Sequence, residues 1–294
     1  MGGEWGLGAS LVMESIPPKL RGPVSGLLQS GYPSGYFVAS LVYFLLFDHI
    51  GWRGMFMVGI APALLVIAIR MHVKESPVFE ARRGKPKVNP VAELVRHWKI
   101  ALYLVVLMTA FNFFSHGTQD LYPTFLQKQH HFDTHTVGIL TAVMNVGAIV
   151  GGISFGIWSE RLGRRRTIIL ASLLALPIIP LWAFSTTPLL LGLGAFLIQV
   201  AVQGAWGIVP VHLNELSPPL ARSLFPGFAY QLGNLIASKN APIQAGFAEA
   251  RGDNYSLALA IVCGITAVVI AIWTALGPER KNADFMAESR AGPT

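Results

Sequence analysis

Long apolar stretches with few or no charges alternate with short polar segments along the whole chain. The five clearest stretches cover residues 38–47, 55–69, 100–108, 167–184 and 257–276. The longest approach the roughly 20 residues that a helix needs to cross the hydrocarbon layer of a bilayer. The sequence lacks a series of segments of about ten residues with alternating hydrophobicity, so spanning strands are not predicted. The pattern therefore predicts an all-α, polytopic membrane helix bundle.

Proline, glycine and charge clusters divide the chain into about nine predicted spans. The spans cover residues 2–16, 22–47, 54–73, 100–127, 136–158, 167–185, 188–213, 223–247 and 255–276. The predicted organisation is a helix bundle over 1–73, a linker over 74–99, a six-helix bundle over 100–277 and a tail over 278–294. The linker is basic and contains proline, and its residues 91–98 form either a short surface helix or a solvated connector.

Composition and charge narrow the class further. Hydrophobic residues make up 53% of the 294 residues and charged residues only 13%, which excludes a disordered chain and argues against a soluble enzyme. The net charge of +7 does not indicate nucleic-acid binding, because 18 of the 22 lysines and arginines lie in loops and ends on one side of the predicted membrane. That side is expected to be cytoplasmic, together with the carboxyl terminus, in a plasma or bacterial inner membrane.

An internal repeat relates the start of the chain to a later part. Seven residues recur 201 positions later without a gap: Trp5, Gly6, Glu14, Pro17, Pro18, Arg21 and Gly26 match Trp206, Gly207, Glu215, Pro218, Pro219, Arg222 and Gly227. Such a repeat predicts two equivalent bundles related by an axis along the membrane normal. Three spans precede the second copy within its half and none precedes the first. We therefore expect a fold of six plus six helices that lacks its first three; a chance match of proline-rich turns is the alternative.

Residues 156–166, Gly-Ile-Trp-Ser-Glu-Arg-Leu-Gly-Arg-Arg-Arg, join two predicted spans on the basic side. A glycine permits close helix approach or a tight turn, and the acid can accept hydrogen bonds from nearby arginines. The segment resembles the loop signature of the major facilitator superfamily, which implies a gating role. The residues concerned are Gly156, Glu160, Arg161, Gly163, Arg164, Arg165 and Arg166. A basic anchor that only orients the protein is the alternative.

A polar face on the fourth predicted span carries the strongest functional pattern. At about 100° per residue, one face about 140° wide holds Asn112, Ser115, His116, Gln119 and Asp120, with Thr124 near its edge. Thr118 is predicted to point away. An acid inside a membrane is costly and usually functional. Because burial raises the pKa of a carboxylic acid and a cation lowers it, an Asp–His pair can exchange a proton near neutral pH. Interhelical hydrogen bonding is the alternative role.

The motif Asn-x-x-Ser-His-x-Thr-Gln-Asp-x-x-x-Thr, which begins at Asn112, resembles the signature of lactate/pyruvate permeases in the sialate:proton symporter family. The resemblance implies proton-coupled uptake of short monocarboxylates. Asp120 would carry the proton and His116 would tune it, while the substrate is oriented by Asn112, Ser115, Gln119 and Thr124. The same fold with sialic acid, an aromatic acid or a dicarboxylate as substrate is an alternative, as is a truncated protein that does not transport.

Lys239 is a second predicted intramembrane charge, at a depth similar to that of His116. We expect it to bind the substrate carboxylate, or Asp120 when substrate is absent, because a buried cation needs an anion. A lysine that extends to the membrane surface is an equal alternative. Gln199, Gln203 and Trp206 share another face, which either lines a cavity or packs. We expect a monomer in lipid that is not an enzyme, with no cofactor, metal or nucleic-acid partner.

Overall fold

The structure is a computed structural model that describes residues 4–62, 64, 66, 71, 75–82 and 89–286. The described residues form helices and no strand. In chain order the helices are α1 (Glu4–Ser15), α2 (Arg21–Val58), α3 (Pro77–Arg82), α4 (Pro90–Arg96), α5 (Trp98–Gln119), α6 (Tyr122–Lys128), α7 (Thr134–Leu162), α8 (Arg164–Phe184), α9 (Pro188–Trp206), α10 (Val209–Leu216), α11 (Leu224–Ala237), α12 (Asn240–Glu249) and α13 (Tyr255–Leu276).

Five helical segments among the described residues are long and apolar enough to cross a membrane. They are Trp98–Lys128, Thr134–Leu162, Arg164–Phe184, Pro188–Leu216 and Tyr255–Leu276, and each overlaps a predicted span. The other four predicted spans differ. Helix α1 has only 12 described residues. The predicted span 54–73 lies partly outside the described residues, and helix α2 runs through the predicted boundary near residue 47. Gly51, with φ of 60°, interrupts α2 instead.

Three predicted spans are each interrupted by a helix break. The predicted span 100–127 divides into α5 and α6, the predicted span 188–213 divides into α9 and α10, and the predicted span 223–247 divides into α11 and α12. Pro123, Pro210 and Pro242 explain the breaks, because a proline lacks an N–H donor and its ring collides with the carbonyl four residues earlier. The breaks place Asp120 at the end of α5 and Lys239 immediately before α12.

The 201-residue repeat is visible in the backbone. A 3₁₀ turn, Pro18–Leu20, follows α1, and an equivalent turn, Pro219–Ala221, follows α10. The residues before these turns have nearly identical conformations, with φ and ψ of −57° and 143° at Pro17 and −57° and 141° at Pro218. Helices α1 and α2 therefore correspond to α10 and α11.

Close helix contacts at glycines hold α2 against α7. A Cβ atom at Gly26 would lie 2.3 Å from the carbonyl oxygen of Gly152, and one at Gly156 would lie 2.7 Å from the carbonyl oxygen of Gly22. The two backbones can therefore approach only because both helices carry glycine at the contact. Large, fully buried side chains of the core include Phe111 on α5, Trp182 on α8 and Phe225 on α11.

Candidate functional site

The predicted proton-carrying pair forms in the structure. The ring nitrogen Nδ1 of His116 lies 3.2 Å from the carboxylate of Asp120, one helical turn later. The side chains keep 37% and 40% of their surface exposed. His116 also interacts with the side chain of Asn234 on α11. The pair therefore lies at a helix break, partly exposed and next to a neighbouring helix.

The rest of the polar face on α5 bonds to α9. The amide of Gln119 donates to the side-chain oxygen of Gln199 over 2.9 Å, and Gln199 donates in turn to the hydroxyl of Thr118 over 3.2 Å. Gln203 donates to the hydroxyl of Ser115 over 3.2 Å. Thr118 lies off the predicted polar face of α5 by helical periodicity, but it still takes part in this contact because the long side chain of Gln199 reaches its hydroxyl.

Helices α11 and α12 cover another side of α5. Asn112, almost fully buried, donates to the carbonyl oxygen of Tyr230 over 3.5 Å. Gln244 on α12 donates to the carbonyl oxygen of Gly117 over 3.0 Å. Carbonyl groups in the last turn of a helix lack intrahelical donors, so Gln244 satisfies one of them next to the Asp120 break. The end of α5 is therefore fixed by its neighbours.

Aromatic rings from both copies of the repeat meet near this site. Trp5 stacks on Tyr230 with ring centroids 4.7 Å apart, and Trp206 lies edge-on to the same tyrosine at 6.1 Å. The indole of Trp206 donates to the carbonyl oxygen of Phe111 over 3.1 Å. Trp5 and Trp206 are repeat equivalents, so Tyr230 packs against the same position of both copies.

Two predicted binding residues lie apart from these contacts. Thr124 is half-buried on α6, one turn beyond the break. Lys239 is exposed before α12 and forms no ion pair within the described residues. The expected resting contact between Lys239 and Asp120 is therefore not formed; Asp120 pairs with His116 instead.

The end of the bundle that carries Arg21, Arg164, Arg165 and Arg222 is called the basic end here. Arg164 is fully buried and donates to the carboxylate of Glu215 over 3.1 Å, to Glu160 over 2.8 Å and to Ser159 over 2.8 Å. Glu160 also accepts from the backbone N–H of Gly22 on α2 over 2.7 Å. This network closes the basic end by joining α2, α7, α8 and α10.

The remaining residues of the predicted gating segment divide into two groups. Gly163 adopts φ of 93°, a conformation that glycine tolerates best, and so joins α7 to α8. Arg165 donates to the carbonyl oxygen of Thr274 over 3.0 Å. Arg161 and Arg166 are exposed and take no part in the network.

Several residues of the site were not predicted as such. Glu215 was noticed only as part of the repeat, although a buried acid near an arginine-rich loop is a natural partner for it. Glu279 accepts hydrogen bonds from the backbone N–H groups of Arg164 and Arg165 at the start of α8, where an anion is favoured. No spacing rule within one helix identifies such partners. Among the described residues, no group of three or more His, Cys, Asp or Glu is placed to hold a metal ion.

Comparison with known proteins defines the family. A family model described as sugar (and other) transporter matches residues 1–90 and 91–281. The chain belongs to this transporter family. A carboxylic acid transporter protein homolog of Saccharomyces cerevisiae is 31% identical over 97% of the chain and 52% of the yeast protein. A probable 4-methylmuconolactone transporter of Cupriavidus pinatubonensis is 32% identical over 81% of the chain and 57% of the relative.

A solved structure shows which fold the chain adopts. The major facilitator proton:xylose symporter XylE, bound to 6-bromo-6-deoxy-D-glucose, matches 96% of the chain and 69% of its own length, with a TM-score of 0.77 and 18% identity. The prediction of an all-α membrane bundle with the major facilitator fold is confirmed. This member of the transporter family is a multi-pass membrane protein that spans about half the length of the curated relatives it matches.

Proposed function

We propose that this chain belongs to a proton-coupled symporter for a small monocarboxylate such as lactate or pyruvate, in a plasma or bacterial inner membrane. The observation that carries the proposal is the partly exposed pair of His116 and Asp120 at the break between α5 and α6. Intramembrane ionisable pairs of this kind mark proton and substrate pathways. The resemblance of the Asn112–Thr124 motif to lactate/pyruvate permeases supports the same substrate class.

The residues of the Asn112–Thr124 motif have the following roles in the proposed mechanism. Asp120 takes up and releases the proton, and His116 stabilises the charged carboxylate between these steps. Asn112, Ser115, Gln119 and Thr124 orient the substrate through their amides and hydroxyls. The network around Arg164 and Glu160 closes the side that the charge distribution predicts to be cytoplasmic. Transport then alternates between openings on the two sides of the membrane.

The test is uptake of radiolabelled lactate and pyruvate into vesicles that carry this chain, with and without an inward proton gradient. We expect accumulation only with the gradient, and we expect Asp120→Asn to abolish accumulation. Sialate is included as a competing substrate. Full accumulation by Asp120→Asn would remove the proton-carrier role, and no uptake of any acid would contradict transport by this chain.

Asp133 offers a matched control for the loss of a carboxylate. It lies before α7, outside the spans, and the hydroxyl of Thr136 holds its pKa below the usual range through a hydrogen bond. Its carboxylate also accepts from the backbone N–H groups of His135 and Thr136, as an N-cap does. Asparagine caps helices equally well, so Asp133→Asn should keep gradient-driven uptake.

Lys239 has two competing roles in this mechanism. A substrate-binding lysine attracts the carboxylate, so Lys239→Ala would then raise the KM for lactate about tenfold, in line with the loss of one charged hydrogen bond. A lysine that extends to the membrane surface would leave KM unchanged. Measured lactate KM for this variant decides between the two roles.

A larger unsaturated or aromatic acid is the second candidate substrate. Trp5, Trp206 and Tyr230 form an aromatic group beside the polar face. Such rings favour flat, apolar substrates through stacking. Competition of lactate uptake by benzoate would favour this candidate if benzoate inhibits at lower concentration than pyruvate does.

A further inference from the structure

The segment that follows α13 folds back onto the basic end. Ala283 accepts a hydrogen bond from Nη1 of Arg21 over 2.7 Å, and the backbone N–H of Asn282 donates to Glu215 over 3.1 Å. Phe285 also lies in this segment and is almost completely buried, with 1% of its surface exposed. A buried phenylalanine in a polar terminal segment, next to charged groups, has no role in the network around Arg164.

Two arginines lie over the ring of Phe285. The guanidinium carbon of Arg21 is 3.5 Å from the ring centroid, and that of Arg222 is 3.8 Å from it. Two guanidinium groups at this distance must occupy the two faces of the ring, because one face has no room for both. The negative face of an aromatic ring attracts a cation, most strongly where water is excluded, and both arginines are buried.

The two arginines are equivalent positions of the 201-residue repeat. Arg21 donates from Nε to the carbonyl oxygen of Met13 over 3.0 Å, and Arg222 makes the matching bond to Asn214 over 3.3 Å. Each arginine is therefore fixed to its own copy of the repeat. The ring of Phe285 therefore contacts the equivalent arginine of each copy. It also separates two positive charges that would otherwise repel each other.

We propose that Phe285 with Arg21 and Arg222, called the clasp, joins the two copies of the repeat by contacts that can break, and so holds the basic end closed. Opening of this end moves the two copies apart and so requires the ring to leave at least one arginine. The contacts of the clasp are present in the structure whether or not the chain transports. Only the role of the clasp in alternating access rests on the proposed function.

Cysteine labelling in detergent tests the clasp without transport. Cys263 is buried and is the chain's one cysteine, so Cys263→Ala gives a clean background. Ser25 is fully buried and bonds to the carbonyl oxygen of Gly207 and the backbone N–H of Val211, between the two copies. In Ser25→Cys, the reaction rate with a water-soluble maleimide reports opening of the basic end.

We expect Phe285→Ala to raise the labelling rate about tenfold or more, as expected for the loss of desolvated cation–π contacts. Phe285→Tyr keeps the ring and should label like the parent. Phe285→Leu keeps an apolar side chain without a ring and should label as fast as Phe285→Ala. A Phe285→Leu protein that is folded by size-exclusion chromatography and labels at the parent rate would overturn the clasp, because packing alone would then explain Phe285.

Failure of the clasp and failure of the proposed symport are distinguishable. Absent uptake with faster labelling in Phe285→Ala and Phe285→Leu would contradict the symporter and support the clasp. Normal gradient-driven uptake with unchanged labelling in both variants would support the symporter and reject the clasp.

Discussion

Two ion pairs among the described residues differ in how much of their surface is exposed. His116 and Asp120 keep more than a third of each side chain exposed, whereas Arg164 and Glu215 are almost completely buried. Arg164 also bonds to Glu160 and Ser159. A charge that changes during function needs water, while a permanent buried charge needs a full set of partners. The pair of His116 and Asp120 is therefore the candidate proton site, whereas the pair of Arg164 and Glu215 stabilises the basic end.

Removal of Arg164 should have the largest effect on stability. Arg164→Ala leaves Glu215 buried without its cation, which should destabilise the protein by about 3–5 kcal/mol. Thermal unfolding in detergent, followed by loss of the monodisperse peak, measures the change. Arg166→Ala is the control, because Arg166 is exposed outside the network and should shift stability by no more than about 0.5 kcal/mol. Equal stability of the two variants would show that the buried network around Arg164 does not stabilise the protein.

A methyl group at Gly26 should have the next largest effect. Gly26→Ala places a Cβ atom 2.3 Å from the carbonyl oxygen of Gly152, so α2 and α7 must separate at a cost of about 1–3 kcal/mol. Gly31→Ala is the matched control on the same helix, since a Cβ atom there meets no atom within 4 Å. Alanine favours a helix over glycine by about 0.5–1 kcal/mol, so Gly31→Ala should raise the unfolding temperature. A decrease of the same size in both variants would show that the close contact does not hold the helices.

Asp120→Asn should change stability least, although it should remove coupled uptake. The pair with His116 is partly exposed, and asparagine leaves no buried charge without a partner, so the unfolding temperature should stay close to that of the parent. Thermal unfolding beside the uptake measurement separates the two effects. An unfolding temperature lowered as far as that of Arg164→Ala would place this pair among the structural ones.

The sequence predicts features that lie within one helix better than contacts between helices. His116 and Asp120 are four residues apart, so helical geometry brings them together, as found. The partners of Ser115 and Gln119 are Gln203 and Gln199, about 80 to 90 residues away, and no spacing rule pairs them. Packing of α9 on α5 determines those bonds.

The helix breaks were predictable in part. Pro123 and Pro242 are strong signals for an interruption, yet long apolar spans favoured continuous helices in the prediction. The repeat predicted that Arg21 and Arg222 are equivalent, and the structure shows that both make matching bonds to the backbone of their own copy. Their shared contact with Phe285 depends on how the terminal segment folds back, which a pattern along the chain does not contain.

The paired turns after α1 and α10 have a consequence for protein engineering. Because Pro17 and Pro218 share one backbone conformation, we expect the segments 17–20 and 218–221 to be exchangeable connections between successive helices. A chimera with these two segments exchanged should keep both helix pairs at their present angles. If the two copies arose by gene duplication, the shared conformation of these turns is a feature that would persist while the surrounding helices diverged.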